Sequence, residues 1–241
     1  MKKILFIVLA IALQSSALLA QKKILVDVGH GQKFYSDPAD KISTQLVPAD
    51  RLTYMTGELT KNGKANGATV GYIKSPITPA TLANSDLLFI HAPGGKYTVD
   101  ECAAIKQYVE KGGALFVVME EDYWATLDQV NVNDILKPFG ITFKADSPDK
   151  TVGGHTTQNK VTKAKYSIPS HGARIVEGGT PFAFNNNGET SPIGVYAETK
   201  GGGKVVAMGE GMVSLYMTEW QGVKDYQCSP FMEEVIGWLV K

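Results

Sequence analysis

Two ionisable residues stand at the end of one short apolar run. Asp27 lies inside Ile24 to Val28, and His30 sits between Gly29 and Gly31 in the stretch KKILVDVGHGQ. An acid within an apolar strand must be paired or hydrogen-bonded to survive there. A histidine flanked by glycines lets the backbone turn sharply and expose the imidazole, so Asp27 and His30 form the candidate acid/base pair. Two roles stay open for Asp27: contact with a ligand, or a cap on the amides of a neighbouring loop. Other polar residues follow other apolar runs: His91 before Ala92-Pro93-Gly94-Gly95, Glu120-Glu121-Asp122 after Ala114 to Met119, and Glu210 after Lys204 to Met208. In an open α/β sheet, ligands meet the chain just beyond the carboxyl ends of the strands, so these residues are expected to converge on one crevice. The expected ligand-binding set is Asp27, His30, Gly31, Gln32, Pro93, Gly94, Gly95, Glu120, Glu121 and Glu210, with Tyr35 and Tyr123 exposed beside it for stacking. His91 reads more simply as a core group. His155 and His171 belong to a polar stretch able to fold back over the crevice.

Several chemistries lack their residues. There is no G-x-S-x-G elbow, no H-E-x-x-H pair, no Walker A loop and no G-x-G-x-x-G turn, so a serine nucleophile, a local zinc pair and nucleotide phosphates all go unsupported. No metal ligands are assigned and no cofactor is identified. Where a strand-to-helix nucleophile belongs after Ala114 to Val118, the chain offers Met119-Glu120-Glu121, without thiol or hydroxyl. Paired carboxylates among Glu120, Glu121, Asp122 and Glu210 are the alternative for glycoside hydrolysis, although adjacent acids also read as a solvated rim.

The elements that must position these groups follow from periodicity. A loop over Lys33 to Pro48 crosses the expected crevice. Asp50 opens a helix to about Asn62, ended by Gly63, with Leu52, Met55 and Leu59 on one face. Strands are expected at 68–73, 86–90 and 114–119, with a short helical turn at 79–82 between the first two. Thr98 caps a helix to Lys111 that turns Val99, Cys102, Ile105 and Val109 inward. A short helix over 131–138 leads to a strand at 141–144. Residues 146–187 read as a β-rich excursion, 193–199 and 204–208 as a hairpin about Gly201-Gly202-Gly203, and Phe231 to Val240 as the last helix. Strands alternating with helices on short links specify a mostly parallel sheet with right-handed crossovers.

Met1 to Ala20 carries Lys2 and Lys3, an apolar stretch from Ile4 to Leu13, and small residues up to Ala20. This is the pattern of a cleaved signal peptide, too short for a stable membrane span. No cysteine follows the stretch to take a lipid anchor, so a periplasmic or secreted product with residues 21–241 as its folded part is expected. Lysine plus arginine and aspartate plus glutamate number 24 each. Loss of Lys2 and Lys3 with the leader leaves a slightly acidic chain without a nucleic-acid footprint. Cys102 and Cys228 are the two cysteines; they form either one bridge or two separate buried thiols.

ILVDVGHGQ at Ile24 to Gln32, SDLLFIHAPGG through GGALFVV at Ser85 to Val118, NDILKPFGITF at Asn133 to Phe143, and GGGKVVAMGEG at 201–211 together resemble the glutamine-amidotransferase-like superfamily. The nearest branch holds secreted bacterial domains related to trehalose-utilisation-type, gliding-motility and intraflagellar-transport domains. The resemblance implies a flavodoxin-like three-layer α/β/α sandwich. Catalytic members use a cysteine where Met119 and Glu120 stand, and Pro93-Gly94-Gly95 matches their oxyanion-side loop, so a pocket without its nucleophile is implied. The leading expectation is an exported, non-catalytic binding module for a small polar ligand such as a sugar or peptide fragment. Two alternatives are a hydrolase of glycans or esters using His30 and Asp27, and a partner-binding domain of an envelope complex engaging a protein through 146–187.

Overall fold

The computed structural model describes residues 21–40, 47–147, 151–172, 174–188 and 190–241. The expected leader and part of the loop at 33–48 lie outside the described residues. The chain runs β1 (Lys22–Asp27), α1 (Ala49–Ala65), β2 (Ala68–Ile73), α2 (Pro79–Leu82), β3 (Leu87–His91), α3 (Val99–Glu110) and β4 (Ala114–Val118). It continues through α4 (Val132–Leu136), β5 (Ile141–Asp146), β6 (Gly154–Thr156), β7 (Ser167–Ile168), β8 (Arg174–Gly178) and β9 (Thr180–Asn185). The last elements are β10 (Pro192–Glu198), β11 (Lys204–Met208), β12 (Glu219–Trp220), β13 (Val223–Lys224) and α5 (Cys228–Leu239).

Nine strands form one sheet in the order β2-β1-β3-β4-β11-β10-β9-β6-β7. The first five run parallel and the rest antiparallel, starting from the expected β10–β11 hairpin. The parallel strands are apolar on both sides because helices cover both faces. Ile24, Val26, Phe89, Phe116 and Met208 face α1 and α5, whereas Leu25, Leu88, Leu115 and Ala207 face α3, α4 and the separate β5–β8 pair. This is the expected three-layer α/β/α sandwich.

Residues 146–187 are β-rich, as expected, but they are not an appendage. β9 and β6 continue the main sheet, β8 pairs with β5, and Phe182 stacks on Phe231 of α5 with centroids 6.2 Å apart. Part of the hydrophobic core is therefore built from the region expected to serve as a free interface.

Three helix details differ from expectation. α1 passes through Gly63 and ends at Asn66, with the left-handed turn at Gly67 (φ 71°). Gly63 is needed for contact instead: a β-carbon there would stand 3.3 Å from Ile24 Cδ1 and 3.4 Å from the Ala68 carbonyl oxygen. On α3, Val99 is 85% exposed and Glu101 is buried in its place, because the Thr98–Glu101 capping box turns the glutamate inward. α5 starts at Cys228, earlier than the apolar stripe suggested. The cysteines are free: Cys228 packs on the α1/α5 face and Cys102 on the α3 face, so the sheet separates them and the bridge is excluded.

Gly57 and Gly63 share α1 but differ in surroundings, since a β-carbon at Gly57 meets nothing within 4 Å. Gly57→Ala is expected to raise stability by about 0.5–1 kcal/mol, whereas Gly63→Leu is expected to lower it by about 1–3 kcal/mol. The urea midpoint of each variant checks both.

Candidate functional site

Strand parity divides the expected residues before any loop is considered. Asp27 follows Leu25 on the α3 side of the sheet, while His91 follows Phe89 on the α1/α5 side. The register Val118↔Met208 puts Glu120 and Glu210, each two residues further on, beside one another in the same sense as Phe116, Val118 and Met208. The expected single crevice is thus two groups on opposite faces.

In the first group every acceptor of the buried Asp27 is used. Its Oδ1 accepts the Gly29 N–H at 3.0 Å, and its Oδ2 accepts the Tyr97 hydroxyl at 2.6 Å and His30 Nδ1 at 2.8 Å. Of the two roles left open for Asp27, the amide cap is present, and the same carboxylate also holds the imidazole. His30 Nε2 lies 3.1 Å from Glu101 Oε1, and the ring stacks on Tyr97 at 4.0 Å. Glu101 also accepts N–H groups from Ile77 and Thr98, each at 2.9 Å. Burial opposes charge on His30, but the hydrogen bonds and charges of Asp27 and Glu101 outweigh it and raise its pKa above 6.5. Burial likewise opposes charge on Glu101, but the Thr98 and Ile77 N–H groups and His30 hold its pKa down. The imidazole is bracketed by two carboxylates that favour its protonated form, and its side chain is only 11% exposed, not presented to solvent.

The glycine turns then close over this group. The His30 carbonyl accepts the N–H groups of both Gly94 and Gly95, at 2.9 and 3.0 Å. A β-carbon on Gly94 would lie 2.5 Å from the Gly31 carbonyl oxygen, so only glycine lets the two turns touch. The amides in the place of an oxyanion loop are thus spent inside the protein. Pro93 and Gln32 are buried; Gln32 donates to the Asp27 carbonyl and accepts the Tyr35 N–H. What opens beside the group is a small polar cleft of about 240 Å³ lined by His30, Lys74, Thr98 and Glu101.

The second group is a buried carboxyl pair. Glu210 accepts the N–H groups of His171 at 2.9 Å and Met212 at 3.1 Å, so His171 does fold back over a strand end. Burial first, then the charges of Glu210 and Glu121, raise the Glu120 pKa well above its usual range. Burial also pushes Glu210 up to about 7, against the pull of the His171 and Met212 amides. Two such neighbours hold a proton rather than ionise together. Glu121 is half-buried and Asp122 exposed at the rim.

Arg174 holds this second group in place, and sequence reasoning missed it. The side chain is fully buried. It donates from Nε to the Glu120 carbonyl at 2.6 Å, from Nη2 to Asp122 and the Ala125 carbonyl, and from Nη1 to the Lys144 carbonyl at 3.3 Å. The available signal was scarcity: Arg174 is one of two arginines in a chain that otherwise uses lysine. Tyr97 and Glu101 were also missed, although Thr98-x-x-Glu101 is a capping-box pattern.

Between the groups lies an aromatic floor. His91 is wholly buried among Phe34, Tyr35 and Phe89, at 5.4, 5.4 and 5.9 Å. Burial pushes its pKa down to about 4, so it is a neutral core group. Tyr35 is buried, not exposed, because its hydroxyl donates to the Ser214 carbonyl at 2.5 Å. Tyr123 is 83% exposed and rests edge-on against Trp124. Among the described residues, no group of three or more His, Cys, Asp or Glu side chains has a metal-holding arrangement.

Comparison with known proteins agrees with this architecture. Residues 51–154, less than half of the chain, match the family described as the IFT52 GIFT domain. The mmIFT52 N-terminal domain superposes with a TM-score of 0.63 at 19% identity, covering 90% of this chain and 97% of that one. A thua-like protein from Bacteroides uniformis gives 0.55 at 13%, covering 92% and 93%. A GMP synthase protein from Thermoplasma acidophilum gives 0.53 at 11%, covering 91% and 94%. No curated protein sequence matches. At these identities the likeness is one of fold: the chain shares the mixed α/β architecture of these three structures. The matched segment includes Tyr97, Glu101 and Glu120 but neither Asp27, His30 nor Glu210.

The two groups titrate distinctly. His30 has a raised folded pKa, so its stabilisation is complete below about pH 6.5 and fades as pH rises through the folded value. His30→Ala is expected to cost about 1–3 kcal/mol at pH 6 and less at pH 9. Glu120 also has a raised pKa, but as a buried acid its ionisation is a penalty that grows above pH 4.5. Glu120→Gln should therefore gain stability on the native protein progressively between pH 4.5 and 8. Denaturant titrations across that pH range check both.

Proposed function

We propose that this protein is an exported, non-catalytic glutamine-amidotransferase-like domain that serves as a binding component of a protein assembly. The observation that carries this reading is that the catalytic-type groups at the strand ends are spent on one another. Both His30 ring nitrogens are held by carboxylates, the Gly94 and Gly95 amides are held by the His30 carbonyl, and Met119-Glu120 follows β4 in place of a thiol. A general base must have a free nitrogen to take a proton, and an oxyanion loop must have free amides to give. The match to the IFT52 GIFT domain supports a role within a complex. The partner-facing surface is the loop after β4, where exposed Tyr123, braced by Trp124, stands beside the acids Glu121 and Asp122. This places the interface away from residues 146–187, whose strands β6, β7 and β9 are part of the main sheet.

A second reading has one observation in its favour. The cleft at His30, Lys74, Thr98 and Glu101 is polar and open, and suits a small polar ligand such as a sugar or peptide fragment.

A photo-reactive residue placed at Tyr123 in the native host is expected to give one discrete cross-linked protein, while the same probe at Tyr54 of α1 gives none. Turnover of glutamine, nitrophenyl esters or nitrophenyl glycosides that disappears in His30→Ala or Glu120→Gln would overturn the non-catalytic reading. Absence of cross-linking, with sugars or short peptides raising the melting temperature, would replace the partner with the small ligand. Mass spectrometry of the product tests export: a mature chain beginning at Gln21 is expected, and an intact Met1 to Ala20 refutes it.

A further inference from the structure

A cavity of about 530 Å³ lies at the opposite end of the sheet from both groups. Its walls are the starts of β1 and β11, the turn before β4, and the C-terminal ends of α3 and α5. It falls within the size range of small-molecule sites. Leu82, Ala104 and Leu239 give it an apolar floor, and the half-buried Tyr108 ring forms one side. Four lysines, Lys22, Lys111, Lys204 and Lys241, stand around it.

The charges at this cavity are not balanced by its side chains. Among the described residues Asp86 is the one acidic side chain in the lining, and its Oδ2 already accepts the Lys23 N–H at 2.7 Å. Lys22 donates one N–H to the Val240 carbonyl, and Lys204 one to the Trp238 carbonyl at 2.8 Å. An ammonium carries three donors, so each keeps two to offer. Those carbonyls anchor the two ammonium groups at the end of α5, and Lys204 is further braced over the Trp238 ring at 5.3 Å. Burial, and repulsion from Lys22 and Lys241, lower the Lys204 pKa despite the help of Glu198. Cations crowded in this way gain from an anion placed among them.

We propose that this cavity is a binding site for a small amphiphilic anion, a short apolar body seated on Leu82, Ala104, Leu239 and Tyr108 with a carboxylate or phosphate head among Lys22, Lys111 and Lys204. The apolar floor selects the tail, and the fixed ammonium groups select the sign of the head. The site is independent of the partner-binding surface, and neither depends on the other.

Calorimetric titration of the purified protein with octanoate and octyl phosphate separates the two head chemistries, with octanol and octyltrimethylammonium as neutral and cationic counterparts. One equivalent of at least one anion is expected to bind, with octanol and the cation roughly tenfold weaker or worse. Lys204→Met keeps the stem over Trp238 and removes the charge; it is expected to weaken the anion by roughly tenfold. Lys111→Met, at an exposed position, is expected to weaken it without altering the melting temperature of the free protein. Gln107→Trp, at the exposed rim of the cavity, is expected to block binding while the fold survives. Equal affinity for octanol and octanoate, affinities unchanged in all three variants, or no binding of either anion at millimolar concentration would each overturn the proposal.

Discussion

The imidazolium of His30, clasped between Asp27 and Glu101, is the interaction on which the strand-end architecture depends. It joins the end of β1 to the first turn of α3, and through Glu101 it reaches the Ile77 amide before α2. The backbone of the same residue receives the Gly94 and Gly95 amides from the loop after β3. One residue thus sets the spacing of two parallel strands at the point where ligands enter many sheets of this kind. A buried cation between two carboxylates persists because each partner has further donors: Tyr97 and Gly29 for Asp27, Thr98 and Ile77 for Glu101.

The opposite face uses a different economy. Glu120 and Glu210 are set side by side by the β4–β11 register, and among the described residues no cation pairs with their carboxyl groups. The nearby Arg174 guanidinium is turned to backbone carbonyls and to Asp122, where it fixes the loop carrying Tyr123 and Trp124. Arg174 opens β8, so the same stretch that completes the sheet also positions the exposed aromatic loop. This explains why residues 146–187 are unsuited to being a detachable interface.

These two arrangements bear on function together. Asp27, His30 and Glu101 satisfy one another within the protein, and exposed features include an aromatic loop with acids at one end of the sheet and a lysine-rimmed cavity at the other. On such a scaffold function is argued from the site and not from the fold.

The sequence by itself determined the strand–helix alternation, the parallel sheet, the β10–β11 hairpin and the need for hydrogen-bond partners at Asp27. Each of these rests on local signals: apolar period, capping residues, glycine turns and the cost of an acid in an apolar strand. It also exposed the missing thiol after β4, because that absence is read from a single position. Only the tertiary structure decided that Asp27 and Glu120 face opposite sides of the sheet, that Glu101 and Tyr97 complete the His30 group, that Tyr35 is buried, and that Arg174 is the clamp. Those outcomes depend on strand parity and on contacts between residues far apart in the chain, such as Asp27 with Tyr97 or Arg174 with Glu120. A period read along one segment carries no record of the partner that another segment brings to it.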